Sequence, residues 1–143
     1  MSGILSLVRA NRRERYLIIP RLIAALPLIG IGIGHLVDRG SFVAMLDASS
    51  IPMPEINSLV APGVEVLAGL LLLLGLFARL GGLTAAATMV VALYSHLVID
   101  PASLPEGVMM PPLALPLAVL VSAAVVAWRG GGAFSLDARQ AGA

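Results

Sequence analysis

The stretch APGVEVLAGLLLLLGLFARLGGL, residues 61–83, decides the fold class because Glu65 and Arg79 are its only charged residues. Every residue between these two is apolar or glycine. A helix rises about 1.5 Å per residue, so about 20 apolar residues cross a hydrocarbon core of about 30 Å. The stretch therefore predicts a transmembrane helix that carries one intramembrane carboxyl group.

The composition of the whole chain favours the same class. The 143 residues are 59% hydrophobic and 12% charged, with a mean hydropathy of +0.99, whereas soluble domains are roughly 45–50% apolar and about 25% charged. A small soluble domain leaves too much of its surface in water to hide so many apolar residues. The chain has no cysteine, which excludes disulfide exchange, iron–sulfur clusters, thiolate zinc sites and cysteine nucleophiles. The composition predicts an all-α integral membrane protein.

Four apolar segments with short connections predict an antiparallel bundle of four transmembrane helices. The predicted spans are about 20–37, 58–77, 83–99 and 113–128. We expect a basic segment, 1–19, before this domain of residues 20–128, and a tail, 129–143, after it. In the first outer loop, FVAMLDA is expected to form a short interfacial helix. Asn57 or Ser58 is the expected N-cap of the second span, and ARLGG, residues 78–82, the turn after it.

The arginines predict the orientation of this bundle. Of the nine basic residues, all arginine, only Arg39 falls on the side opposite the amino terminus. Positive residues collect on the cytoplasmic side of membrane proteins. Both termini are therefore predicted to be cytoplasmic.

The candidate polar site combines Glu65, His35 and His96. Helical spacing puts Glu65 on the same face as the small residues Ala68 and Gly69, which allow close helix packing. Because chain direction alternates, all three polar side chains are expected to converge in the outer third of the membrane. The charged residues expected to flank the spans are Asp38 and Asp100 at this end and Arg21 at the opposite end.

Two interpretations of the intramembrane Glu65 remain open. A charged group facing lipid costs about 2.5–3.5 kcal/mol or more, so the carboxyl group needs a partner or a function. It could belong to a site for a quinone head group, a proton or a small substrate, or it could form a structural hydrogen bond with His35 or His96. A haem b between the histidines, or a metal held with Asp100, is less favoured, because both histidines lie near a membrane surface and no H-x-x-x-H spacing occurs.

The segments PRLIAALPLIGIGIGHL, F-x-x-M-L, IPMP and residues 61–83 together resemble the DoxX-like family of small bacterial membrane proteins. The resemblance covers roughly residues 20–100 and implies a four-helix membrane bundle in the bacterial inner membrane. The positions that carry it or form its helix-packing motif are Arg21, Gly32 to His35, Leu36, Glu65, Ala68, Gly69, Gly75 and Arg79.

The resemblance also implies a link to membrane redox chemistry, since some relatives are associated with thiosulfate–quinone oxidation and others with oxidoreductase assemblies. Without a cysteine or a cofactor signature, we expect no independent catalytic activity. The preferred hypothesis is an accessory or anchoring subunit of a larger membrane redox or energy-conversion complex, in contact with lipids and other subunits but not with nucleic acid. The alternatives are a quinone-reactive oxidoreductase subunit or a small-molecule binder that uses the Glu65 and histidine site. A third hypothesis, a small transporter or export factor, is less favoured because four short spans leave little room for alternating access.

Overall fold

The computed structural model describes residues 14–140, and this part of the chain is helical with no strand. The predicted basic residues Arg9, Arg12 and Arg13 lie outside it. A 3-10 turn, Arg15–Leu17, leads into the helices, which are α1 (Ile18–Val37), α2 (Arg39–Ala48), α3 (Pro54–Leu74), α4 (Ala78–Val98), α5 (Ala114–Arg129) and α6 (Leu136–Gln140). A second 3-10 turn, Pro101–Ser103, follows α4. By length and composition, α1, α3 and α4 could each cross a membrane, and α5 is apolar but shorter.

Helix α3 begins earlier than predicted, because proline starts it. Pro54 occupies the first turn, where its missing N–H removes no helical hydrogen bond, and Met53 before it has a left-handed φ of 52°. The predicted cap Asn57 lies inside the helix, and its side-chain amide donates to the Pro52 carbonyl at 2.7 Å. The prediction that Asn57 or Ser58 caps this helix is wrong.

The predicted turn ARLGG is also wrong, since these residues form the start of α4. The chain instead reverses over residues 75–77, where Gly75 has a φ of 65°. A left-handed conformation of this kind suits glycine, which has no Cβ to clash with the backbone.

The four apolar helices contact one another in a ring. Helix α1 packs against α3 and α5, and α4 packs against the same two helices. Gly32, in the second half of α1, lies against the middle of α3 at Pro62 and Val66, while Gly69, further along α3, lies against Ala25 and Ile29, earlier in α1. The two helices therefore run in opposite directions. A Cβ added at Gly69 would lie 2.6 Å from the Ile29 Cγ1 atom, so this close approach requires glycine.

The interior and the exterior of the helices are both apolar. Small and medium side chains from α1, α3, α4 and α5 fill the core, among them Leu28, Leu72, Ala85, Val119 and Ala123. Large apolar side chains also point outward, including Leu26, Leu67, Leu83, Leu97 and Val121. An exterior of this kind is suited to lipid, and the chain is a helical membrane protein.

The described part of the segment after α5 folds back onto the helices. Arg21 of α1 donates through Nη1 to the Gly131 carbonyl at 2.6 Å and through Nη2 to the Phe134 carbonyl at 3.0 Å. Asp137 of α6 accepts from the backbone N–H groups of Phe77 and Ala78, at 2.9 and 2.8 Å. We call this part of the molecule the closed end and define it by Arg21, Gly75, Ser135 and Asp137.

Candidate functional site

A cavity of about 290 Å³ lies at the opposite end, between α1, α2, α3, α4, the first turn of α5 and the segment that precedes it. We call this part of the molecule the cavity end and define it by His35, Glu65 and His96. Apolar atoms form most of the cavity wall. The lining residues include Ile31, Phe42, Met45, Leu46, Ile51, Ala61, Met89, Ala92, Met110, Pro111 and Pro116.

Glu65 and His35 form the main polar feature of this wall. The His35 Nδ1 atom lies 3.3 Å from the Glu65 Oε2 atom, and Glu65 is only 6% exposed. The other two polar atoms of the pair, Glu65 Oε1 and His35 Nε2, have no hydrogen-bond partner among residues 14–140. The pair therefore presents two unused hydrogen-bonding atoms in an apolar cavity.

The short helix α2 holds the His35 ring in position. The Phe42 ring stacks on His35 with 3.8 Å between centroids and an interplanar angle of 6°. Aromatic contacts of this kind restrict ring orientation and add to the energy of burial. The sequence predicted the short interfacial helix but gave no signal for this contact.

His96 lies in the same cavity wall, but its nitrogens are occupied. Nδ1 is 2.8 Å from the Ala92 carbonyl oxygen and Nε2 is 2.9 Å from the Pro111 carbonyl oxygen. A neutral imidazole carries one N–H, so it makes one of these bonds at a time. When Nε2 carries the proton, His96 ties α4 to the segment before α5, and in either tautomer a backbone carbonyl oxygen lies against each ring nitrogen.

The predicted flanking charges lie outside the cavity. The Asp38 carboxylate accepts from the Ser41 N–H at 3.3 Å and caps α2, and hydrogen bonds from Ser41 hold the pKa of Asp38 below its usual value. Asp100 similarly accepts from the Ala102 N–H at 3.0 Å, and Arg21 belongs to the closed end. Among residues 14–140, no three histidine or acidic side chains come together in a group that could hold a metal ion.

A second, outer pocket of about 280 Å³ adjoins the cavity. Asp38 lines this outer pocket, whereas His35, Phe42, Met45 and Pro111 line both spaces. These four residues therefore form the wall that separates the cavity from the outer pocket.

Sequence reasoning missed several lining residues. Ser95 of α4 and Asn57 of α3 line the cavity, and Met110 and Pro111 come from the loop between α4 and α5. The pair of methionines in that otherwise polar loop was the one available signal. Methionine side chains commonly line adaptable apolar pockets.

Comparison with known proteins assigns the family. No curated protein and no solved structure matches the chain. The DoxX family model matches residues 16–98, more than half of the 143 residues, and the match includes His35, Glu65 and His96. The chain belongs to the DoxX family.

Proposed function

We propose that this protein binds a small amphipathic ring molecule, such as a quinone head group, inside the membrane. The observation that carries the proposal is the Glu65–His35 pair, which opens into an otherwise apolar cavity. Binding sites for small molecules are typically apolar with a few polar groups that fix the orientation of the ligand.

The size of the cavity supports a single-ring ligand. A cavity of about 150 Å³ is enough to hold one benzene molecule, and this cavity measures about 290 Å³. A substituted ring fits that volume. The cavity is not fully enclosed, so an apolar chain attached to the ring could extend toward the lipid.

The proposal includes a placement in the membrane. The four apolar helices α1, α3, α4 and α5 would form an antiparallel bundle in the bacterial inner membrane, with the closed end at the cytoplasm and the cavity in the outer half. The distribution of arginine supports this orientation, since Arg21, Arg79 and Arg129 lie toward the closed end and Arg39 pairs with Glu55 at the other. The 16 residues of α5 span only about 24 Å, so the bilayer would thin locally beside this helix.

A cavity-filling variant tests the proposal. Ala61 lines the cavity, so Ala61→Phe should occupy the ligand space, whereas Leu67→Phe changes a side chain that is 59% exposed on the outer face of the same helix. Decylubiquinone and decylubiquinol would be titrated against the purified protein in detergent, with binding measured by equilibrium dialysis and by the ligand-induced rise in Tm. We expect the unaltered chain and Leu67→Phe to bind and Ala61→Phe to bind at least tenfold more weakly. Equal binding by the two variants, or no binding of either probe to the unaltered chain, would show the proposal to be wrong.

A second candidate function is that of an accessory or anchoring subunit in a larger membrane redox or energy-conversion complex. Its support comes from α4, which is the least covered of the three long helices. In its 18-residue apolar stretch 22% is buried, against 33% in the corresponding stretches of α1 and α3. Leu83, Val90 and Leu97 are among the large side chains left uncovered on it. A photo-activated cross-linker at position 90 in native membranes should capture a specific protein, with position 67 on α3 as the control. Cross-links to lipid alone at position 90 would count against this function.

A further inference from the structure

We infer that the cavity selects a ligand that carries a hydroxyl donor, so that it binds a hydroquinone or a phenol in preference to the corresponding quinone. This inference rests on the proposed function and names the chemical form of its ligand. It follows from which polar atoms in the cavity wall are unused and whether each of them donates or accepts.

Glu65 supplies an acceptor. The Oε2 atom of this cavity-lining residue is engaged with His35, which leaves Oε1 without a partner among the described residues. A carboxylate oxygen accepts hydrogen bonds and has no proton to donate. Oε1 is an acceptor when the carboxyl group is ionised and also when its proton lies on Oε2 in the hydrogen bond to His35, and the inference applies to these two states. A quinone carbonyl is also an acceptor, so the two oxygens would face each other unpaired.

His35 can adapt to the same ligand. When Nδ1 donates to Glu65, the neutral ring has its lone pair on Nε2, which then accepts a second hydrogen bond. When the shared proton lies on Glu65 instead, Nε2 carries the N–H and donates. A hydroxyl group both donates and accepts, so it satisfies Nε2 in either state. A carbonyl group satisfies it in only one.

The remaining polar side chains in the wall offer little to a quinone oxygen. The Thr88 hydroxyl donates to the Ala85 carbonyl at 2.9 Å. The Ser49 hydroxyl has one proton, which can go to the Met45 carbonyl at 2.8 Å or to the Ser95 oxygen at 3.0 Å, and in the second case the Ser95 hydroxyl proton remains available. Asn57 donates one amide proton to Pro52 and keeps a second. These side chains therefore leave at most the Ser95 hydroxyl and the second Asn57 proton as donors, whereas the unpaired carboxylate oxygen of Glu65 favours a donor on the ligand.

The test compares ligands that share a substituted ring and an alkyl chain but differ in whether the ring oxygens carry a proton. Decylubiquinol, decylubiquinone and the dimethyl ether of decylubiquinol would be titrated under anaerobic conditions against the full chain in detergent. A buried acceptor left unpaired weakens binding by about tenfold or more. We expect the Kd of the quinol to be at least tenfold lower than the Kd values of the quinone and the ether. Equal or tighter binding of the quinone or the ether would overturn the inference and leave the proposed function standing.

A matched pair of variants locates the preference. Glu65→Gln introduces an amide that both donates and accepts, so the ratio of the two Kd values for quinone and quinol should fall to within about threefold. Glu55→Gln removes a carboxylate that is exposed and paired with Arg39 at the protein surface, and it should keep the full preference. A preference that survives in Glu65→Gln would overturn the inference. The dimethyl ether comparison decides the question if Glu65→Gln does not fold.

Discussion

The closed end and the cavity end are built from the same long helices, yet their side chains are packed to very different extents. At the closed end, a Cβ added at Gly75 would lie 2.5 Å from the Ser135 Cβ atom, and Leu72 and Val126 are completely buried. At the cavity end, about 290 Å³ between the side chains is empty of protein atoms.

This difference indicates a division of roles along the helices. Atoms that line a cavity lose the dispersion contacts that a filled interior provides, so the cavity end contributes less to folding stability than a filled end would. Natural proteins commonly keep such weakly packed regions where a ligand binds. The closed end should therefore provide most of the stability, and the cavity end should be the part that can change without unfolding the protein.

The largest expected effect is that of Gly75→Ala at the closed end. Alanine at a φ of 65° is strained, and its Cβ would meet Ser135. We expect the free energy of unfolding to fall by about 3 kcal/mol. The measurement is urea unfolding in detergent micelles, followed by circular dichroism. Gly63→Ala is the control, because nothing lies within 4 Å of a Cβ there, and it should be neutral or slightly stabilising. Similar losses in the two variants would contradict a tightly packed closed end.

A somewhat smaller loss is expected for Asp137→Ala. This change removes the carboxylate that accepts from the Phe77 and Ala78 N–H groups at the start of α4. The same carboxylate is the acid that acts electrostatically on the buried Arg21 guanidinium. Charged helix caps and hydrogen bonds of this kind support a loss of about 2 kcal/mol in the free energy of unfolding. Asp47→Ala, at an exposed position, should cost less than about 0.5 kcal/mol, and a comparable cost would argue against the cap.

Much of the cavity end could be predicted from the sequence, because hydropathy and chain direction determine it. Long apolar segments identified the helices, and alternating direction placed His35, Glu65 and His96 at one end. The structure brings all three to one cavity, with His35 beside Glu65. What the sequence left open was which histidine would contact the carboxyl group. That choice depends on Phe42, which stacks on His35, and on Pro111, whose carbonyl engages His96.

The closed end could not be predicted in the same way, because its contacts join distant parts of the chain. The cap of α4 comes from Asp137, about 60 residues further along. Local turn signals therefore placed the chain reversal at the glycines of ARLGG, where the structure has a helix. Arg21 likewise finds its acceptors at Gly131 and Phe134, more than 100 residues away. Such long-range hydrogen bonds leave no periodic pattern in the sequence.

Two alanines on α4 compare the packing of the ends directly. Ala85 is completely buried in the core, whereas Ala92, two turns further along, lines the cavity. Ala92→Leu should fill empty space and raise the free energy of unfolding by about 1 kcal/mol. Ala85→Leu should lower it by at least about 1 kcal/mol through overpacking. Thermal unfolding in one detergent measures both, and destabilisation by both substitutions would remove the contrast between the two ends.

The smallest expected effect concerns Asp38, at the rim of the cavity end. Hydrogen bonds from Ser41 lower the pKa of this carboxyl group in the folded protein. A group with a lowered folded pKa stabilises the protein above its unfolded pKa, and that contribution is lost as the pH falls through the folded pKa. The free energies of unfolding of the unaltered chain and of Asp38→Ala would be measured between pH 7 and pH 3. The difference between these two free energies should be small at pH 7 and should disappear below about pH 4. A difference that does not change with pH would mean that the charge of Asp38 does not support the cap of α2, and that the rim depends on packing, as the closed end does.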